Sequence, residues 1–523
     1  MFNNNSSSLA VAAAAAAVTS VAWWWWKNTT STTKLRVALW WGRGSVILED
    51  VRCPAAVLPK GSAASPEGLV ACNVHIHNGT IAAVLLQDAD TSLPRVACGA
   101  AVCVPCFADA HAHLVKTQVV PRNRNSTGSM TGALAAEVCD RPRWTLEDIS
   151  RRMEFGLKCA FHHGSKAART HLDGCSTPEI ADAVYAAFDA ARDKFGALGM
   201  TVQGVANLYL PLWLEPEIAD PHVKRALASE NVVLGAYCGN VSYSPEVVRA
   251  MDALFAYAAN HLSDVDLHID ESNDPDCCAL LALCESLEKA RATGYRGRVV
   301  LGHACALALQ NDETKAKICA SLARLQDVYV VANPFTNLAL QDRRGTARPL
   351  GLPVAADAPR TPFWRGITLL QELKAAGVEV AAASDNVRDH WYPYGDYDML
   401  AVWANAVILG HLDTAPNEGS WADLVTDTPS RAMGLVDDFS FSVGSPADLV
   451  LFPNARRLSE LFARPHLDRL VLRRGRLQNT QLPPFSDLDD LVALASPAPD
   501  PDLLVLRGAT VLLQEEEEED DNK

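Results

Sequence analysis

The chain has 523 residues, 49% of them hydrophobic, with 62 acidic against 46 basic side chains and a formal charge of −16. That is ample apolar surface for a large core, and the length alone suggests two or more domains, although a barrel can absorb about 250 residues as one unit. The negative charge excludes a nucleic-acid footprint or a basic membrane patch, because phosphate surfaces repel it; a neutral or cationic small molecule is the better partner.

Residues 1–33 are low in complexity: an Ala/Val run from Leu9 leads into Trp23 to Trp26 and then Lys27. The 18 uncharged residues 9–26 just reach membrane-span length, but no basic segment precedes them and no small-residue cleavage site follows. We read 1–33 as an extension, with an anchor or targeting role as the alternative. Residues 34–104 look β-rich, and HIHNGTIAAV reads as two strands joined at Asn78-Gly79, a pair that tolerates positive φ. The 14 cysteines, from Cys53 to Cys319, lack the regular spacing of a disulfide framework. A reducing, cytoplasmic setting follows. Cys103-Val-Pro-Cys106 has no second CxxC to complete a zinc site, so we expect buried free thiols.

From residue 102 an apolar run, a polar loop and a helical segment alternate. The runs fall at 102–113, 166–173, 201–208, 231–237, 264–270, 298–303, 328–334 and 378–385. Between them PEIADAVYAAFDAARDKFG, opened by Ser176 and Thr177, and PEVVRAMDALFAYAANHL, opened by Ser244, each have an N-cap hydroxyl, a proline at the first helical position and apolar residues at 3–4 spacing. Further helices are expected at 275–294, 311–327 and 363–377. Near-continuous apolar strands alternating with amphipathic helices are the pattern of a closed parallel barrel. The expected fold is therefore a TIM (β/α)8 barrel over 105–436. Segments 34–104 and 437–478 flank it and should join into one small β-sandwich domain. Residues 479–523 form a C-terminal extension whose acidic block, 515–521, should be solvated.

Two histidine pairs share one spacing, His75/His77 in VHIHNG and His111/His113 in DAHAHL. The first sits on a strand entering a hairpin, with no other ligand type nearby, and reads as structural. The second closes the first barrel strand, and barrel active sites lie where strands end. Residues i and i+2 of a strand face one side, so His111 and His113 both point to the axis. The fifth run ends in His268-Ile269-Asp270-Glu271, the sixth in His303 and the eighth in Ser384-Asp385. These would converge on one mouth, and nitrogen plus oxygen ligands suit Zn²⁺ or Fe²⁺. His171 ends the second run and keeps an open role; His390 lies just past the eighth.

On FADAHAHLVKTQ, RTHLD, DVDLHIDES, VVLGHACALALQ, VVANPFTNLALQDR and AASDNVRDHWYPYGDYDML, in that order over about residues 34–478, the chain resembles the amidohydrolase superfamily and its cytosine deaminase-like group. The resemblance implies metal ligands His111, His113, His268 and Asp385, with catalytic Glu271, His303 and Asp385 moving protons and orienting water. Binuclear relatives use a carbamylated lysine on a middle strand; the third and fourth runs contain none, which implies one divalent ion.

The implied reaction is hydrolysis of a C–N bond in a cyclic amidine, deaminating cytosine or a related nitrogen heterocycle of pyrimidine metabolism with release of ammonia. Glu271 would protonate the ring nitrogen, Asp385 would take the water proton and His303 would orient the nucleophile. Trp391 and Tyr392 are candidates to wall a flat ring. Cytosine readers in this group place a glutamine after strand three, where NLYLPLW stands here with Tyr209 nearest, and a second aspartate after the metal aspartate, where Asn386 stands. Tyr209, Asn386 and Trp391 are therefore the expected substrate contacts, and the reaction class follows where cytosine itself does not. Ring-opening of a cyclic amide, dealkylamination of a triazine, and a non-catalytic scaffold are the alternatives. Homo-oligomerisation is left open.

Overall fold

The structure, a computed structural model, describes residues 31–42, 44–59, 63–85, 93–343, 361–435, 439–466 and 468–493. Most of the N-terminal extension and the whole acidic block lie outside the described residues, and with them the readings placed on those ends. No helix of the described residues is long and apolar enough to cross a membrane.

Four strands precede the barrel: β1 (Val46–Pro54), β2 (Leu69–His77), β3 (Thr80–Leu85) and β4 (Arg95–Pro105). Eight follow, β5 (Phe107–Ala112), β6 (Ser165–His171), β7 (Thr201–Tyr209), β8 (Val232–Tyr237), β9 (Val265–Ile269), β10 (Val299–His303), β11 (Val328–Ala332) and β12 (Glu379–Ala382). Then come β13 (Leu449–Phe452), β14 (Leu470–Arg473) and β15 (Arg476–Leu477).

Strands β5 to β12 pair in chain order, every neighbour parallel. The ends meet where Ala112 bridges Asp385 and the Asp385 amide donates to the His111 carbonyl at 2.9 Å. This is an α/β TIM-like barrel. Every residue of β9, β10 and β11 is buried, because helices cover one face and barrel side chains the other, which is why their sequences VDLHI, VVLGH and VYVVA carry no alternation. The intervening helices start where local chemistry directs. Thr177 accepts the Ile180 amide ahead of Pro178–Gly196, and Ser244 accepts that of Val247 ahead of Pro245–Asn260.

The remaining strands hydrogen-bond as one seven-stranded sheet in the order β15-β14-β13-β4-β1-β2-β3. β4 pairs antiparallel with β13, Leu449 opposite Pro105, so chain from before and after the barrel is interleaved. Only Cys106 separates β4 from β5, which fixes sheet and barrel to each other through one nearly continuous strand. Asn78 and Gly79 take φ of 50° and 81° at the β2–β3 hairpin, as that turn requires. His75 and His77 lie on β2, in this sheet. All 14 cysteines are free thiols, Cys103 and Cys106 buried among them.

Two local expectations differ. Ser31–Gly42 is a helix where β-rich chain was expected to begin; Leu35 and Leu39 are buried beneath it while Trp40 and Trp41 are exposed. Leu35 and Leu39 are four apart, so one helical face covers the sheet and tertiary burial decides the state. The helix expected over 363–377 forms only at Leu370–Ala375. Gly366 adopts φ +72° against Gln341 and Asn337, and Asp342 accepts the amides of Phe363 and Trp364, so the earlier residues are held as loop.

Candidate active site

His111 lies on β5 and His113 one residue past its end; His268 is on β9, Glu271 two residues beyond it, His303 ends β10 and Asp385 follows β12. Barrel closure brings them together. His113 Nε2 is 3.2 Å from Asp385 Oδ1 and 3.2 Å from His268 Nε2. His111 Nε2 is 3.6 Å from the same carboxylate oxygen. His303 Nδ1 lies 3.3 Å from Glu271 Oε1 and 3.9 Å from Asp385 Oδ2. Residues more than 270 positions apart thus share one buried volume at the C-terminal rim.

The backbone there is bent into unusual conformations. Asp270, His303 and Asp385 have φ of 50°, 69° and 59°, a left-handed region that costs about 1–3 kcal/mol for a non-glycine residue and persists only where surroundings over-determine it. Asp270, although beside Glu271, faces away: its carboxylate accepts the amides of Ala279 and Leu280 and caps the next helix.

The donor set is left without protein partners. Both ring nitrogens of His111, Nδ1 of His268, Nε2 of His303 and both oxygens of Asp385 are buried and make no hydrogen bond. Buried polar atoms are rarely orphaned, and a concentration of lone pairs at one point is resolved by a cation. His111, His113, His171 and His268 each offer one ligand atom within 4.8 Å of the others, as do His111, His303 and Asp385. The residues therefore fit a divalent ion of the kind that imidazole and carboxylate select. Burial, reinforced by the neighbouring imidazoles, lowers the pKa of His111 and His268, which keeps them in the neutral form that ligates.

His171 sits among these rings but is spent elsewhere. Its Nδ1 is 3.4 Å from the Ala112 carbonyl and its Nε2 3.3 Å from Asp266 Oδ1, and Asp266 also takes Arg169 at 2.8 Å. It belongs to a polar layer filling the barrel beneath the site.

Above the ligand cluster a pocket is walled by Lys116, Asn207, Tyr237, Asn386 and Trp391, with Met130, Leu134, Glu137 and Arg141 of the helix Met130–Asp140 and its continuation closing one side. Asn386 donates to Asp389 at 2.7 Å, and the Trp391 indole N–H contacts Met130 Sδ at 3.0 Å. Tyr209 is not in this wall: it ends β7 at 44% exposure, and Asn207 and Tyr237 stand where it was expected. Tyr209 lies two residues past Asn207, at the last position of β7, where it still pairs opposite Tyr237 of β8. Tyr392 stacks on Phe335 at 5.5 Å and His390 is buried; neither lines the pocket.

Four supporting residues carried no role in the sequence reading. Asp173 Oδ2 contacts His113 Nδ1 at 2.5 Å, Asn337 Nδ2 contacts His303 Nδ1 at 3.0 Å, and Lys116 and Glu137 line the pocket. Asp173 and Lys116 lie inside RTHLD and HLVKTQ, so proximity to the histidines was the available signal. Asn337 lies inside VVANPFTNLALQDR, whose place among the quoted motifs was its signal, whereas Glu137 comes from the helix Met130–Asp140, where nothing local marks it.

Burial drives the Glu271 carboxyl well above the usual range, and the Asp385 charge adds to it. Burial opposes ionisation of Asp385 too, but His303 and His113 outweigh it and lower its pKa. Two carboxyls within reach of one imidazole are thus pushed apart, one to keep a proton and one to lose it, which is the division an acid and a base require.

A parallel barrel with a histidine and carboxylate cluster at its C-terminal rim is the architecture of metal-assisted hydrolases. The model of the amidohydrolase family matches residues 145–477, and the chain belongs to that family, in the deaminase-like group of its superfamily. It is 35% identical over 451 residues to a pterin deaminase of Rhizobium rhizogenes, covering 85% of this chain and 96% of that one. It is 23% identical to an N-isopropylammelide isopropyl amidohydrolase of Pseudomonas, over 66% of this chain and 78% of that one. A solved 5-methylcytosine deaminase from Klebsiella pneumoniae shares the fold at a TM-score of 0.65 and 21% identity, covering 84% of this chain and 97% of that one.

Proposed function

We propose that the protein hydrolytically deaminates a nitrogen heterocycle bearing a cyclic amidine, with 2-amino-4-oxo rings of the pterin and isocytosine type ahead of cytosine. The observation that carries this is the convergence of His111, His113, His268 and Asp385, with buried polar atoms left without partners, beside Glu271, whose carboxyl burial pushes well above its usual range. The 35% identity to a pterin deaminase over 85% of the chain supports the ring class. Asn386 stands in the pocket wall where a cytosine reader has its second aspartate, and Tyr209, nearest in sequence to the reader's glutamine, lies outside that wall; both differences support a ring other than cytosine.

A single Zn²⁺ or Fe²⁺ held by His111, His113, His268 and Asp385 would make water a nucleophile near neutral pH, lowering its pKa to about 7. Asp385, ionised by the imidazoles around it, accepts a proton from that water. Glu271, kept neutral by burial, donates to the ring nitrogen as the amino-bearing carbon is attacked; the exocyclic amino group then takes the proton held by Asp385, its C–N bond breaks to release ammonia, and the hydroxyl proton returns to Glu271 as the carbonyl forms. His303 orients the nucleophile; its Nδ1 meets Asn337 at 3.0 Å and stands 3.3 Å from Glu271 Oε1, while its Nε2 is buried without a hydrogen bond. Trp391 offers an apolar face to the ring, and Asn207, Asn386 and Tyr237 offer polar edges.

The same site chemistry would serve removal of an alkylamine from a triazine, a reading favoured by the similarity to the isopropylammelide hydrolase. Incubation with pterin, isocytosine, cytosine and N-isopropylammelide, scored separately for ammonia and for isopropylamine, tests both. Ammonia from an aminopyrimidine or pterin, absent with Glu271→Gln, is expected. Isopropylamine alone would replace this reading by the second, and neither product from any ring would leave the barrel a scaffold.

A further inference from the structure

Lys116 follows the second metal-site histidine by three residues and is 6% exposed. Its ammonium has three donors, yet makes no hydrogen bond among the described residues: Asp173 Oδ2 is 3.7 Å away and Glu137 Oε2 3.9 Å. Its third neighbour is the Trp391 ring, whose centroid is 3.7 Å from Nζ. Burial disfavours its charge, but Asp173 and Glu137 outweigh that and raise its pKa, so it is an ammonium at neutral pH.

A lysine serving only to neutralise two carboxylates would close on them to ordinary hydrogen-bond distance, about 2.7–3.0 Å. This one is held between them, short of both, and borders the same pocket as His268, Glu271 and His303. The backbone on each side of it is fastened. Arg152 Nη1 donates to the Val115 carbonyl and, at 3.1 Å, to that of Thr117. Thr117 Oγ1 donates to the Val387 carbonyl at 2.7 Å, and the Leu114 amide to Thr170 Oγ1 at 2.9 Å. A donor group fixed on a braced loop and left unspent is pre-arranged for an acceptor that arrives with the ligand.

We propose that Lys116 reads the ring carbonyl oxygen of the substrate, and that the site therefore selects amino-oxo heterocycles over rings that lack the oxygen. This rests on the heterocycle-hydrolase reading above and narrows it. The carbonyl oxygen accepts from Nζ while the ring lies against Trp391, so the cation stays in contact with both. As the amino-bearing carbon is attacked, the electron pair of its C=N bond is shared by the ring nitrogen and, through conjugation, the carbonyl oxygen until the nitrogen takes its proton; the same contact strengthens at that stage, and Lys116 contributes to turnover as well as to binding.

The test is calorimetric binding in the full-length protein carrying Glu271→Gln, so that the ligand is not consumed. Two pairs of probes differ only by the oxygen: isocytosine against 2-aminopyrimidine, and pterin against 2-aminopteridine. Each ratio is measured within one preparation, which cancels the fraction of active protein. A 10- to 100-fold preference for the oxo member is expected, roughly the value of a hydrogen bond to a charged donor. Lys116→Met should reduce the ratio to within about threefold of unity, and Lys116→Arg should restore part of it. A ratio near one in the parent, one that survives Lys116→Met, or no binding of any probe overturns the proposal. The deaminase reading stands or falls separately on ammonia release by the unsubstituted enzyme.

Discussion

The imidazole of His113 and the carboxylate of Asp173 are joined at 2.5 Å through Nδ1, so that Nε2 is turned toward His268 and Asp385. Asp173 comes from the loop after β6 and lies outside the proposed ligand set, yet it fixes the tautomer and the ring plane of a proposed ligand. Burial would lower the His113 pKa, but Asp173 reverses this and raises it to about 9, while the Asp173 carboxyl itself is held far below its usual range. Asp173→Ala should weaken metal retention about 10- to 100-fold, measured by competition with a chromogenic chelator. Unchanged affinity would mean the pair is only a packing contact.

Burial, with the Asp385 charge adding to it, pushes the Glu271 carboxyl well above its usual range. Glu271→Gln preserves shape and hydrogen bonding but removes the transferable proton. Turnover should fall by about 10²- to 10⁴-fold with bound metal and ligand affinity little altered. Retained turnover would move the acid role to another group.

Removal of the ion should have two consequences. Dialysis against a chelator is expected to abolish ammonia release and to lower the melting temperature, because His111, His113, His268 and Asp385 would lose their shared partner at once. Re-addition of Zn²⁺ and of Fe²⁺ in separate samples, with metal content measured on each, identifies the ion that restores both properties. A melting temperature indifferent to the chelator would argue against a resident metal.

Asp148 links the active-site loop to acid stability. It receives Arg152 through Nε at 2.9 Å and Nη2 at 2.7 Å, and Arg122 besides, all three nearly inaccessible. Burial raises the Asp148 pKa, the two guanidinia more than offset this, and the net shift is downward. A carboxyl with a lowered native pKa binds fewer protons folded than unfolded near pH 4. Its contribution is full above the unfolded value of about 3.9 and disappears as pH falls through the native value. Burial lowers the Arg152 pKa, but from so high a starting point that it stays charged. Asp148→Asn should cost about 3–5 kcal/mol in denaturant unfolding at pH 7, since it strands two buried cations. It should also flatten the loss of stability as pH falls below about 4.

Tyr209 and Asn207 lie two residues apart on β7, but only Asn207 reaches the pocket. Tyr209→Ala should leave kcat/KM within about threefold of the parent. Asn207→Ala should lower it about tenfold or more if its amide meets a ring edge. Reversed effects would return Tyr209 to the site.

The order of elements was legible in the chain because barrel strands buried on both faces must be apolar throughout, and because Thr177 and Ser244 cap helices with their own side chains. The histidines and carboxylates at strand ends were legible for a related reason: a barrel puts every strand's C-terminal end on one rim, so position within a strand already implies a shared neighbourhood. Local sequence carries both kinds of information. It does not carry the contact of Asp173 with His113, of Asn337 with His303, or the suspension of Lys116 between Asp173, Glu137 and Trp391. Those depend on loop paths and on where a helix such as Met130–Asp140 comes to rest, and many loop paths satisfy the same hydrophobic pattern. The exposure of Tyr209 and the shortening of the helix before β12 have the same origin: side chains from distant segments settled which of several locally acceptable conformations was kept.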